Sequence, residues 1–118
     1  MTYDENNIFA KIIRGEIPCD KVFEDDHVLA FRDIQPLAKV HVLVIPKGQY
    51  ISLEDFSAKA SSEELTAFHR AIAKIVGYEN LSENGFRAIA NKGAYGCQEV
   101  PHYHLHLMGG EQLPSLKR

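Results

Sequence analysis

The feature that most constrains the fold is a ten-residue stretch near the end of the chain, Pro101-His102-Tyr103-His104-Leu105-His106-Leu107-Met108-Gly109-Gly110. Histidines alternate strictly with apolar residues, which is the pattern of a half-buried strand. Successive side chains of a strand point to opposite faces, so His102, His104 and His106 are expected on one face. Tyr103, Leu105 and Leu107 then share the other face and pack on a core. Three of the six histidines in the protein are thereby gathered on one element.

Spacing limits what these histidines can do. Alternate Cα atoms of a strand lie roughly 6–7 Å apart, and the outer pair roughly 13 Å apart. Two imidazoles can converge on one small target, but three do not easily meet at one metal with bonds of about 2 Å. Three readings are open: solvated or core histidines, a metal site of two histidines and an outside ligand, or a nucleophilic or acid–base histidine held by its neighbours. In the last, the middle residue, His104, is the natural reactive group.

A chain of 118 residues is read as one domain, with a core from about 8 to 110 and a short tail, 111–118. The net charge of −3 gives no general attraction to nucleic acid or to anionic membranes. Cys19 and Cys97 form neither a zinc spacing nor a disulfide framework. No apolar run approaches the roughly 18 residues of a bilayer span. Met1 to Asn7 is polar and acidic, unlike a signal peptide, so the expected compartment is the cytoplasm.

In chain order, Asn6 is placed to cap a short helix carrying Ile8, Phe9, Ile12 and Ile13, ended by Arg14-Gly15. Strands are read at Lys21–Glu24, His27–Asp33, Lys39–Lys47 and Phe86–Asn91. The third is apolar on both faces and is expected to be central. His41 is its odd residue, in isolation a core histidine with one partner. Asp33, at a strand end, either caps a turn or accepts two hydroxyls as a ribose-binding carboxylate does. Ile51–Phe56 reads as a short helical turn. Ser61 and Glu64 form a capping box ahead of one long helix, with Leu65, Phe68, Ile72, Ile75 and Val76 at helical spacing and Gly77 at its end. A polar, glycine-containing loop from Asn91 to Glu99 leads into the histidines. The sum is an α+β domain: about five mostly antiparallel strands with one long and one short helix.

His102-Tyr103-His104-Leu105-His106-Leu107-Met108 resembles the histidine-triad signature. Phe31-Arg32-Asp33-Ile34, His41 to Lys47, Gln98-Glu99-Val100 and Ile12 to Pro18 are similar to the same family, in register from about Ile8 to Gly110. The ending Met108-Gly109-Gly110 resembles its nucleotide-binding branch, the purine nucleoside phosphoramidate hydrolases. The resemblance implies the histidine-triad fold, a homodimer, and a purine nucleotide such as AMP or GMP as substrate or product, with no cofactor. It implies His104 as nucleophile through a nucleotidyl-histidine intermediate, His102 as its orienting neighbour, His106 on the phosphate side and His41 in support. Ile17, Phe31, Asp33 and Ile34 match the nucleoside pocket, and Asn91 would stabilise charge on the phosphate. The alternatives within reach are a dinucleoside-polyphosphate hydrolase and a nucleotide-binding regulatory module. Many relatives carry a zinc-binding Cys-x-x-Cys where this chain has Asn7 and Ala10, and a later histidine where it has Gln49, so no structural metal is expected. Cys97 and Glu99 stand where some relatives have glycine and serine; Cys97 fits a backbone donor better than a nucleophile, and Glu99, an anion in place of a hydroxyl donor, either weakens phosphate contacts or shifts the choice of leaving group. The tail lacks a tryptophan found in some relatives.

Overall fold

The computed structural model describes residues 2–116; of the expected tail, residues 117 and 118 lie outside the described residues. The elements run α1 (Ile8–Ile13), β1 (Lys21–Glu24), β2 (Val28–Arg32), β3 (Val40–Pro46), α2 (Leu53–Lys59), α3 (Ser62–Tyr78), β4 (Phe86–Ile89) and β5 (Leu105–Gly109). The strands form one sheet in the order β1-β2-β3-β5-β4, and every pairing is antiparallel. β3 is the central strand, as its two apolar faces require.

Those faces pack against different helices. Val28, Ala30, Val42, Val44 and Leu107 meet Phe56 of α2 and Phe68, Ala71 and Ile75 of α3. On the opposite face Leu29, Phe31, Leu43 and Ile45 cluster with Phe9 of α1. The period-2 alternation of β2 and β3 therefore sorts their side chains between a thick helical layer and a thin one. α3 starts at the expected capping box, with both Ser61 and Glu64 side chains bonded to the first turn.

Four expectations are corrected. The histidine stretch becomes a strand only at Leu105, so His102 and His104 precede β5. The backbone there is drawn off the ladder: His102 N–H donates to Val100 O at 2.8 Å and Tyr103 N–H to Tyr50 O at 2.8 Å. The turn expected at Ile51–Phe56 is a helix, α2, capped by Ser52, so the fold has two short helices beside the long one. Asn7, not Asn6, caps α1, its side chain accepting from Ala10 N–H at 2.9 Å. Finally, α3 continues through Gly77 to Tyr78. No helix among the described residues is long and apolar enough to cross a membrane.

Candidate functional site

Tyr103 places the histidines. Its ring enters the helical layer, stacked on Phe68 at 5.2 Å between centroids and tilted against Phe56 at 5.3 Å. With Tyr103 turned that way, its neighbours His102 and His104 turn to the opposite side of the sheet. There Phe9 of α1 meets both rings edge-on, at 4.9 Å from His104 and 6.3 Å from His102. His41 of β3 and His106 of β5 lie on the same side. Leu43 pairs with His106 and His41 with Met108, so the two histidines are diagonal neighbours.

Each ring has its proton placed by a hydrogen bond. His104 Nδ1 is 2.7 Å from the His102 carbonyl. A carbonyl only accepts, so Nδ1 carries the proton and Nε2 carries the lone pair. Nε2 has no hydrogen bond among the described residues, and no buried side-chain nitrogen there lacks a partner, so Nε2 reaches solvent. His102 donates from Nε2 to the Pro46 carbonyl at 2.8 Å. Leu37 N–H donates to His41 Nδ1 at 3.0 Å, which leaves the His41 proton on Nε2, 2.9 Å from His106 Nδ1. His106 accepts there, and its own proton faces outward on Nε2.

Burial holds the rings neutral. It lowers His102 and His106 to about 4; the Pro46 carbonyl partly offsets this at His102, and at His106 His104 and His41 add to it. His41 and His104 are lowered by burial too. At His104 the His102 carbonyl and the Asp33 and Glu99 carboxylates oppose that shift, and no lysine or arginine among the described residues acts on it.

Asp33, His41 and His106 bring three possible ligand atoms within 4.8 Å of one another. The donor set does not suit a cation. With Leu37 N–H on Nδ1, His41 offers a proton rather than a lone pair from Nε2.

The other expected residues differ in their burial and in the bonds they make. Asp33 accepts Gln35 N–H at 2.9 Å through Oδ1, a turn cap, and keeps Oδ2 at 3.5 Å from His41 Nε2. Ile34 is 90% exposed beside it, and Leu37 is 79% exposed on the same loop. Ile17 is half-buried, whereas Phe31 is buried in the cluster with Phe9. Asn91 is half-buried, and Glu99 is exposed without a hydrogen-bond or salt-bridge partner among the described residues. Cys97, at φ +59°, turns its N–H inward to Ala94 O at 3.2 Å, so the expected backbone donor is already engaged. Gln98 fastens this loop, accepting from Gly93 N–H at 3.0 Å and donating to the Ile51 and Val100 carbonyls.

Sequence reasoning did not find Tyr3, Phe9, Leu37 or Pro46 as parts of the site. Leu37 and Pro46 act through main-chain atoms, which leave no mark in residue type. Tyr3 and Phe9 act over separations of more than ninety residues.

A HIT domain model matches residues 14–113. The chain belongs to the HIT domain family. It is 46% identical over 109 residues to the purine nucleoside phosphoramidase of Escherichia coli strain K12, covering 92% of this chain and 91% of that protein. A 13.2 kDa HIT-like protein of Azospirillum brasilense is 49% identical over 112 residues, 95% of this chain and 92% of that one. Among solved structures, a histidine triad protein from Clostridium difficile superposes with a TM-score of 0.85 at 42% identity, covering 98% of this chain and all of the other. The HIT fold thus accounts for the five-stranded antiparallel sheet.

Proposed function

We propose that this HIT domain is a hydrolase of purine nucleoside phosphoramidates, acting through a nucleotidyl-histidine intermediate on His104. The observation that carries the reading is the 2.7 Å bond from His104 Nδ1–H to the His102 carbonyl. It leaves one ring nitrogen with a lone pair, and that nitrogen is the one open to solvent. Burial keeps the ring neutral and nucleophilic at neutral pH.

In the first step the His104 Nε2 lone pair bonds to the α-phosphorus as the bond from phosphorus to the amine nitrogen breaks. The amine leaves with that electron pair and takes a proton from solvent. His104 is then a phosphorylated imidazolium, positive at the ring. The His102 carbonyl and the carboxylates of Asp33 and Glu99 favour that charge. His106 Nε2–H is placed to donate to a phosphate oxygen. Water then attacks phosphorus and loses its proton to solvent; the Nε2–phosphorus bond breaks, and the nucleoside monophosphate departs.

A phosphoramidate carries one negative charge at phosphorus, and a site with two carboxylates, neutral histidines and, among the described residues, no lysine or arginine acting on His104 suits one charge better than a polyphosphate chain. Ile17, Ile34 and Leu37 supply apolar surface for a purine, with Asp33 for the ribose hydroxyls and Asn91 for phosphate. A homodimer is part of the proposal, since β4 is an open sheet edge with Phe86 44% exposed. No metal is required. Turnover of adenosine 5′-phosphoramidate, with and without chelator and beside His104→Ala, tests the reading. AMP release that survives chelation and vanishes in the variant is the expected result; full activity in His104→Ala overturns it.

A further inference from the structure

We infer that the Tyr3 hydroxyl is a positioning group of the histidine site, acting through His102; the catalytic part of this inference rests on the reading of His104 just given. Tyr3 Oη lies 2.6 Å from His102 Nδ1, joining residues 99 positions apart. The other ring nitrogen donates to the Pro46 carbonyl at 2.8 Å, so Nδ1 is the acceptor and the phenol is the donor. His102 is 0% exposed and held by both nitrogens. Its main-chain carbonyl is the group that takes the proton of His104 Nδ1. The Tyr3 hydroxyl thus secures the residue whose peptide sets the tautomer of the nucleophile.

The segment before α1 is built to hold Tyr3 there. The Asn7 side chain caps α1 by accepting from Ala10 N–H and donates to the Asp4 carbonyl at 2.7 Å, which ties residues 4–7 to the helix start. Asn6 N–H donates to Asp4 Oδ1 at 2.9 Å. From that base the Tyr3 ring meets His102 edge-on, at 5.6 Å between centroids. Phe9 meets His102 from the same N-terminal region.

The neighbourhood explains why a hydroxyl serves here. A cavity of about 430 Å³ beside Tyr3 is lined by Ala10, Lys47 and Gln49 among others. Asn7, Ala10 and Gln49 stand where many relatives have their zinc-binding cysteines and histidine, and they do not suit zinc. Asn7 Oδ1 is already taken by Ala10 N–H, Ala10 has no ligand atom in its side chain, and Gln49 Nε2 donates to Glu5 at 3.2 Å. In this chain the Tyr3–His102 hydrogen bond fastens the N-terminal segment to the histidine stretch. Removing the hydroxyl takes the donor from Nδ1 of a fully buried ring and frees that ring to turn.

Tyr3→Phe keeps the ring and removes only the O–H. The ring nitrogens of His102 and His104 are followed by ¹⁵N NMR in the intact protein. kcat and KM are measured for adenosine 5′-phosphoramidate at a temperature where both proteins are folded by circular dichroism. In the wild type, His102 is expected with its proton on Nε2. In the variant, the His102 and His104 signals shift or broaden, kcat falls roughly tenfold and KM stays within about twofold. A wild-type His102 protonated on Nδ1 overturns the inference, as do unchanged ring signals in the variant. So does a lowered melting temperature with kcat intact, the mark of a hydroxyl that only stabilises. If the wild type releases no AMP, the proposed activity fails, while the NMR comparison still decides whether Tyr3 positions the rings.

Discussion

His41 Nε2 lies 2.9 Å from His106 Nδ1, and the main-chain N–H of Leu37 makes His41 the donor of that pair. The consequence is a fixed direction, Leu37 to His41 to His106, that ends on an outward-facing N–H. His41→Ala removes the donor from His106 Nδ1, a half-buried acceptor. Turnover of the phosphoramidate is expected to fall roughly ten- to hundredfold, mainly in kcat, since the uncompensated group costs about 1–3 kcal/mol. Steady-state kinetics on the folded variant check this; an unchanged kcat removes His41 from the site.

Acid should weaken the fold. His102 binds its proton near pH 4 in the folded protein and near 6.5 when unfolded. Between those values the unfolded chain holds more protons, so stability is full above about pH 6.5 and declines as pH falls toward 4. The slope from His102 approaches about 1.4 kcal/mol per pH unit. Urea titrations at pH 7 and pH 5 measure it. Replacing His102 with Gln should flatten the dependence, and an equally steep curve in that variant assigns the effect elsewhere.

Glu99 is a carboxylate without a hydrogen-bond or salt-bridge partner among the described residues, and it acts on His104. On the proposed reaction it is expected to favour leaving groups that carry positive charge. For Glu99→Gln, kcat/KM should drop about three- to tenfold for an amine with a second, cationic amino group and change little for a neutral amine, with the gap closing at high salt. Equal effects on both substrates would dismiss a charge role.

Phe9 covers the rings of His102 and His104 and belongs to the core of the thinner layer. Phe9→Ala should cost about 3–5 kcal/mol of stability. It also wets the site, raising the depressed ring pKa values, so the acid limb of the rate profile should move to higher pH. Denaturant melts and a pH–rate profile separate the two effects.

The sheet was legible because β2 and β3 have sharp alternation, and α3 because a Ser61–Glu64 box precedes a helical apolar stripe. The histidine stretch was legible as a cluster and not as a backbone. Alternation reports which side a residue faces; it does not report whether a ladder partner exists, and Tyr103 N–H finds Tyr50 O instead. The resemblance implies that His102 orients His104 without saying through which atom. His102 does so with its carbonyl, while the ring turns to Tyr3 and Pro46. The sequence shows only a helical turn at Ile51–Phe56 where the chain forms the helix Leu53–Lys59, although Ser52 and Asp55 carry its start signal. Asp33 reads in sequence as a turn cap or a hydroxyl acceptor, and its two oxygens divide between a turn and the histidines.

Three of the groups that place protons in this site are peptide groups: the carbonyls of Pro46 and His102 and the N–H of Leu37. Random substitution rewrites side chains but cannot delete a peptide carbonyl. Exposed side chains such as Ile34, Cys97 and Glu99 can therefore be exchanged without removing the peptide groups that set where the ring protons sit. The proton placement at His104 and His41 is thus carried by the backbone, which sequence drift at the surface leaves alone.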